Sequence, residues 1–246
     1  ETNGIEEKIG EVTIQNNKLC FDMASYRPKT FAVRLKKGNV KAAPIKNIPL
    51  QLPFNSKAFT PENFGYTVSF DKKGNSFAAE LIGDKVTCDN ITFSIADHEN
   101  KNVIKCKGDT IQLPKEAAGK KLYILAASTD KDRKSTFLVN GKSHEFEIPY
   151  YSGFYGQWGH KGVSDGYIRN ASLAYIGSHR HTEKGNDTYI YTYMYKLGIE
   201  LPQEAHTLVL PKDENIAVFA ITLSDNYIDD ISTANEMRTL PLEVSK

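Results

Sequence analysis

Apolar residues in this chain recur at every second position in short runs. Thr30-Phe31-Ala32-Val33-Arg34-Leu35 sets Phe31, Val33 and Leu35 on one face of an extended segment. Residues 11–14 and 19–23 read the same way, with Asn16-Asn17 as the turn between them. Lys36-Lys37-Gly38-Asn39 stops the pattern. Residues 40–53 carry Pro44, Pro49 and Pro53 with little regular alternation, and are expected to form a linker running over a surface.

A second strand series follows at 66–70, 78–81, 86–88, 91–95, 103–106, 110–113, 122–127, 136–139 and 145–148. It resumes at 172–176, 189–197, 207–210 and 216–223. Lys73-Gly74-Asn75, Asp89-Asn90 and Lys107-Gly108-Asp109 punctuate it. Asn140-Gly141, between Phe137-Leu138-Val139 and His144-Glu145-Phe146, is the sharpest turn signal, because both central residues of a type I′ turn need positive φ. Along 189–195 the alternation predicts Tyr189, Tyr191, Tyr193 and Tyr195 on one face, with Ile190, Thr192 and Met194 on the other. No amphipathic helix longer than about ten residues is predicted. The expected fold class is all-β: a jelly-roll-like (galactose-binding-like) β-sandwich over residues 41–226, preceded at 1–40 by terminal strands of a preceding β domain and followed at 227–246 by a polar tail.

The totals change this picture little. Of 246 residues, 40% are hydrophobic, 11% aromatic and 25% charged, ordinary values for a globular chain able to bury a sizeable core. The formal net charge of +1 supplies no positive field for a polyanion, so nucleic acid is not expected as a partner. Lys120-Lys121 and Lys131–Lys134 read as solvated turns. No run of about 18 apolar residues exists, so no membrane span is expected. No signal peptide is visible, and a chain that begins at Glu1 is expected to be a processed or excised piece. Cys20, Cys88 and Cys106 do not make a disulfide framework; one Cys88–Cys106 bridge is the alternative to reduced core thiols.

Candidate chemistry gathers in two places. Ser178-His179-Arg180-His181 puts two imidazoles on one face of a strand, a spacing able to hold a metal if His160, Asp187 or Glu183 supplied a third ligand. The plainer reading is that these side chains order a loop, or that Arg180 and the histidines face a sugar or a neighbouring domain. Tyr150–His160 contains the single tryptophan, Trp158, among glycines and tyrosines. Tyr155, Gln157, Trp158 and His160 could together offer a stacking platform and hydrogen bonds to a sugar, against the alternative of Trp158 as a core plug. Asp71, in Phe70-Asp71-Lys72-Lys73-Gly74-Asn75, is a possible Ca²⁺ ligand. Asp130, Asp132, Asp229 and Asp230 read as solvated turn residues rather than as the paired acids of glycosidic cleavage. Asn90, Asn170 and Asn186 begin glycosylation sequons, which carry weight only outside a bacterial source. No nucleophile elbow, zinc-protease helix or phosphate loop occurs.

Ser172–His181, then Gly185–Tyr195, Leu201-Pro202, Thr207–Pro211 and Ile216–Thr222 together resemble the C-terminal end of bacterial α-mannosidases of glycoside hydrolase family 38. Phe70–Leu81 resembles a second segment of that family, and Asp22–Leu35 resembles a strand that closes its preceding β domain. The resemblance implies a retaining, zinc-dependent enzyme that removes α-linked mannose. It also implies that the zinc site and the aspartate nucleophile lie in an N-terminal catalytic domain to which nothing here corresponds. On that reading this chain holds no catalytic residue and no resident cofactor; zinc belongs to the missing catalytic domain of the same chain. Its partners would be that domain and mannose-containing oligosaccharide, with periplasmic or secreted placement favoured if the parent carries a signal peptide. The alternative is an autonomous carbohydrate-binding module; a self-contained hydrolase built on the histidine cluster is the third reading.

Overall fold

A computed structural model describes residues 1–15, 18–22, 24–33, 45–62, 68–153, 156–157, 167–168 and 171–226. The chain divides into two compact units, Glu1–Ala43 and Pro44–Lys246. In the first, β1 (Ile14–Gln15) pairs antiparallel with β2 (Lys18–Leu19), and Thr2 bridges to both Lys8 and Thr30. Phe21 and Phe31 pack 4.6 Å apart, while Ile5, Ile9, Ile14 and Val33 lie exposed. The sequence run over 30–35 contributes only this bridge among the described residues; Arg34 and Leu35 lie outside them.

The second unit begins with β3 (Asn47–Pro49), β4 (Phe59–Thr60), β5 (Ser76–Ala78), β6 (Lys85–Cys88) and β7 (Ile91–Ser94). It continues with β8 (Ile104–Lys105), β9 (Thr110–Gln112), β10 (Lys121–Ser128), β11 (Arg133–Val139) and β12 (Lys142–Ile148). Then come β13 (Gly156–Gln157), β14 (Tyr167–Ile168), β15 (Ser172–Thr182), β16 (Gly185–Glu200), β17 (Thr207–Val209) and β18 (Ile216–Ser224). Among the described residues, eight strands form one sheet in the order β3-β18-β10-β16-β15-β5-β4, with β8 also on β18, and four form a second in the order β12-β11-β17-β9.

Alternation in the central strands explains the layering. On β10, Leu122, Ile124 and Ala126 enter one core cluster, while Tyr123, Leu125 and Ala127 enter another. Strands buried on both faces need a cover on each side. The four-stranded sheet supplies one cover through Ile111, Phe137, Val139 and Leu208. The β6–β7 hairpin and the chain around β4 and β5 supply the other through Val86, Ile91, Phe93, Phe59 and Phe77. Phe77 lies 5.2 Å from Phe70, 5.2 Å from Tyr151 and 5.3 Å from Phe219. Each such aromatic pair contributes about 0.5–1.5 kcal/mol beyond its area burial.

The turn chemistry follows the sequence: Asn140 and Gly141 have φ of 48° and 81°, and Asp89 and Asn90, between β6 and β7, have 51° and 62°. Two expectations fail. The proline-rich linker includes a strand, since β3 pairs with β18 and Leu50, Leu52 and Phe54 pack on the core. Pro49 fits because β3 is an edge strand, where a missing N–H costs no ladder bond. The run 78–81 leaves β5 for a 3-10 turn, Ala79–Leu81, closed by the Ile82 N–H on the Ala79 carbonyl at 3.2 Å. All three cysteines are free thiols, so the Cys88–Cys106 alternative is not formed.

Candidate functional site

The longest hairpin, β15–β16, positions the candidate side chains. Two register shifts interrupt its ladder, one between Leu173 and Tyr175 and one between Gly177 and His179. At the second, Gly177 pairs with Thr192 and His179 with Thr188, so β16 carries extra residues there, and Tyr189 takes φ of 63°. Such bulges bend a strand and re-aim its side chains. The predicted four-tyrosine face is therefore divided. Tyr193 and Tyr195 are buried, with their hydroxyls donating to the carbonyls of Gly153 (2.9 Å) and Tyr150 (3.2 Å), whereas Tyr189 and Tyr191 are exposed. Met194, expected on the opposite face, joins the same core cluster as both buried tyrosines.

Beyond the bulge, His179 and His181 share a face of β15, with ring centroids 5.4 Å apart. Both point at one carboxylate oxygen. Glu80 Oε1 lies 3.1 Å from His179 Nε2 and 2.9 Å from His181 Nε2. The 3-10 turn that replaces the end of the predicted strand presents Glu80 there, next to β5, whose Ser76 and Phe77 pair with His181 and Arg180. His181 is buried, His179 partly so. Ser178 Oγ lies 3.3 Å from His179 Nδ1. Arg180, between the histidines, is held by Asp187 directly opposite it on β16: Nε donates to Asp187 Oδ2 at 2.8 Å and Nη2 lies 2.7 Å from the same oxygen.

A second network adjoins the hairpin. Asp71 is buried and accepts four hydrogen bonds: from the backbone N–H of Lys73 and of Asn75 (2.9 Å each), the Asn75 side-chain amide (2.8 Å) and the Tyr151 hydroxyl (2.9 Å). Both its oxygens are thus engaged in fixing the Asp71–Asn75 turn. Burial, with Asp71 beside it, pushes the Tyr151 phenol far above its usual range. Lys105 donates to the Phe70 carbonyl at 2.5 Å and sits 3.9 Å from the Phe70 ring centroid. Desolvation lowers its pKa to about 7, against the pull of Asp71.

A family model for an AziU2-like beta-sandwich domain matches residues 46–227. The chain belongs to that family. No curated protein matches it.

In this AziU2-like sandwich a cavity of about 660 Å³ reaches the histidine cluster through Glu80, one of its lining residues. Glu62, Asp84, Asp97 and Glu99 also line it, with His98, and Lys57 Nζ donates to the Glu99 carbonyl at 2.5 Å. Of the residues singled out from sequence, the fold brings His179 and His181 together and places Arg180 between them, tied to Asp187. Asp187 is therefore committed to Arg180, and Glu183 lies over the Gly74 turn. Tyr155, Trp158 and His160 lie outside the described residues; Gln157 has its backbone in β13, with its side chain outside the description. Asp130 forms a two-point pair with Arg133, which holds its carboxyl down at about 2, and Asp132 accepts the Tyr150 N–H at 2.7 Å. Asp229 and Asp230 lie outside the described residues. Glu80 is the member that sequence reasoning missed. No motif flags it, because it stands 99 residues from His179 and becomes a partner only through the β5–β15 pairing.

Proposed function

We propose that this chain is the C-terminal β region of a family 38 α-mannosidase, a non-catalytic sandwich that buttresses the catalytic domain and contacts mannose-containing oligosaccharide. One observation carries the reading. The two segments that independently resemble that family, Phe70–Leu81 and Ser172–Tyr195, lie against each other. Phe77 pairs with Arg180, Ser76 with His181, and Glu80 meets both histidines. A chance likeness in two distant stretches carries no reason for them to meet. The hairpin end also presents imidazole, guanidinium and carboxylate groups, the kinds of polar group that fix sugar hydroxyls. Zinc, on this reading, is bound by the catalytic domain, and no residue of this chain is assigned to the chemical step.

The test is turnover. The purified 246-residue chain is assayed on an aryl α-mannoside with added Zn²⁺, then again when co-produced with any zinc-site domain that its gene proves to encode upstream of Glu1. The expected outcome is no release by the chain alone and release by the assembled protein. Zinc-dependent turnover by the chain alone overturns the proposal, as does an upstream region that encodes no such domain. Millimolar-or-better binding of mannobiose to a chain whose upstream region encodes nothing comparable would place the autonomous binding module in its stead.

A further inference from the structure

We infer that Glu80, His179 and His181 form a binding site for a zinc-type divalent cation on the sandwich itself. Three ligand atoms, Glu80 Oε1 and the Nε2 atoms of both histidines, lie within 4.8 Å of one another. A tetrahedral zinc site with ligand bonds of about 2.0–2.1 Å has ligand–ligand edges of about 3.3 Å. The two oxygen–nitrogen separations, 3.1 and 2.9 Å, are a few tenths of an ångström short of that edge. Lengthening these two separations by that amount, with the two Nε2 atoms brought to a similar edge from within 4.8 Å, converts a carboxylate bridging two imidazoles into a two-nitrogen, one-oxygen ligand set with a fourth position free. Borderline ligands of this kind suit Zn²⁺ and Co²⁺ better than Ca²⁺ or Mg²⁺.

Three further features favour the cation. Metal binding through Nε2 requires the proton on Nδ1, and Ser178 Oγ stands 3.3 Å from His179 Nδ1 to accept it, the outer partner that fixes a ligating imidazole. The Tyr175 hydroxyl, two residues from Gly177 on the same strand, is buried without a hydrogen-bond partner. Burial, to which the Glu80 charge adds, raises its pKa to about 12, so the phenol keeps its proton. Finally, Glu80 lies on the wall of the cavity ringed by Glu62, Asp84, Asp97 and Glu99. Carboxylates close to a ligand cluster raise the local concentration of cations. The inference rests on these contacts and does not depend on the mannosidase reading.

The chain is stripped with a chelator and titrated with Zn²⁺ by calorimetry and with Co²⁺ by visible absorption. We expect one equivalent bound, with the intense absorption of four-coordinate Co²⁺. His179→Ala, His181→Ala and Glu80→Gln should each weaken binding by about tenfold or more, at least the loss typical of an outer-shell partner. His206→Ala, whose imidazole meets the Glu204 carbonyl ahead of β17, should leave it unchanged. Should His181→Ala fail to fold, His179→Ala and Glu80→Gln decide, since both residues are partly or wholly exposed. Absence of binding at about 1 mM metal, or binding that survives all three substitutions, overturns the inference.

Discussion

The β15–β16 hairpin is one continuous pair of strands with two different ends. In its base, residues 192–197 of β16 are buried without interruption, and Tyr193, Met194 and Tyr195 all enter one core. Towards its tip, past the bulge at Gly177 and Tyr189, Tyr189 and Tyr191 are exposed and the described contacts are polar: Arg180 with Asp187, and His179 and His181 with Glu80. Both halves belong to the same two strands, paired in one ladder. The difference lies in what covers them. Layers close over the base from both sides, while on the side of β15 away from β16 the tip meets the short strand β5 and the Ala79–Leu81 turn. Stability and chemistry are thereby separated along a single element: the base holds the sandwich together, and the tip carries groups whose removal leaves little apolar surface uncovered.

Substitutions should break this comparison in order of size. Met194→Ala, in the base, opens a cavity where no side chain can relax into solvent, and should cost about 2–5 kcal/mol in urea unfolding. Its counterpart at the tip, His179→Ala, should stay within about 0.5 kcal/mol in metal-free buffer, because it removes a partly exposed contact. Equal losses from the two would mean that the halves are not energetically distinct. Where the halves meet, Tyr151 donates to Asp71 and its carbonyl accepts the Tyr193 N–H at 2.6 Å. Tyr151→Phe deprives a buried carboxylate of one donor and should cost about 1–3 kcal/mol by the same measurement.

A pH series sharpens the same boundary. Lys105 has a folded-state pKa of about 7, against an ordinary value of 10.5. Between these values the unfolded chain binds a proton that the folded chain does not, so stability should rise as pH increases from about 7 towards 10.5. Below about 7 both states are protonated and the contribution is flat, at its least favourable. Lys105→Met should remove that rise; a slope unchanged in the variant would assign it to other groups.

Much of this was legible in the residues, and particular positions show why. Asn140-Gly141 announced its hairpin because positive φ at two successive residues is a local requirement that few residue types meet. β10 and β18 were legible as the strand runs 122–127 and 216–223. Local preference gave no sign of Pro49 as an edge-strand residue, of the 3-10 turn at Ala79–Leu81, or of the division of the tyrosine face at Tyr189. In each case a partner distant in sequence overrode the local pattern. Gly177 is instructive: a Cβ there would stand 2.5 Å from Thr192 Oγ1, a crowding that exists only once β16 lies alongside.

By itself, then, the sequence determined an all-β chain, its main strands, its tight turns and the pairing of two imidazoles on one strand face, since period-two alternation and turn chemistry are properties of neighbours along the chain. The tertiary structure decided which faces are covered, where the long hairpin bulges and which acid meets the histidines. Those outcomes depend on strand register between segments about a hundred residues apart, and register is set by the packing of whole layers rather than by any short stretch of residues.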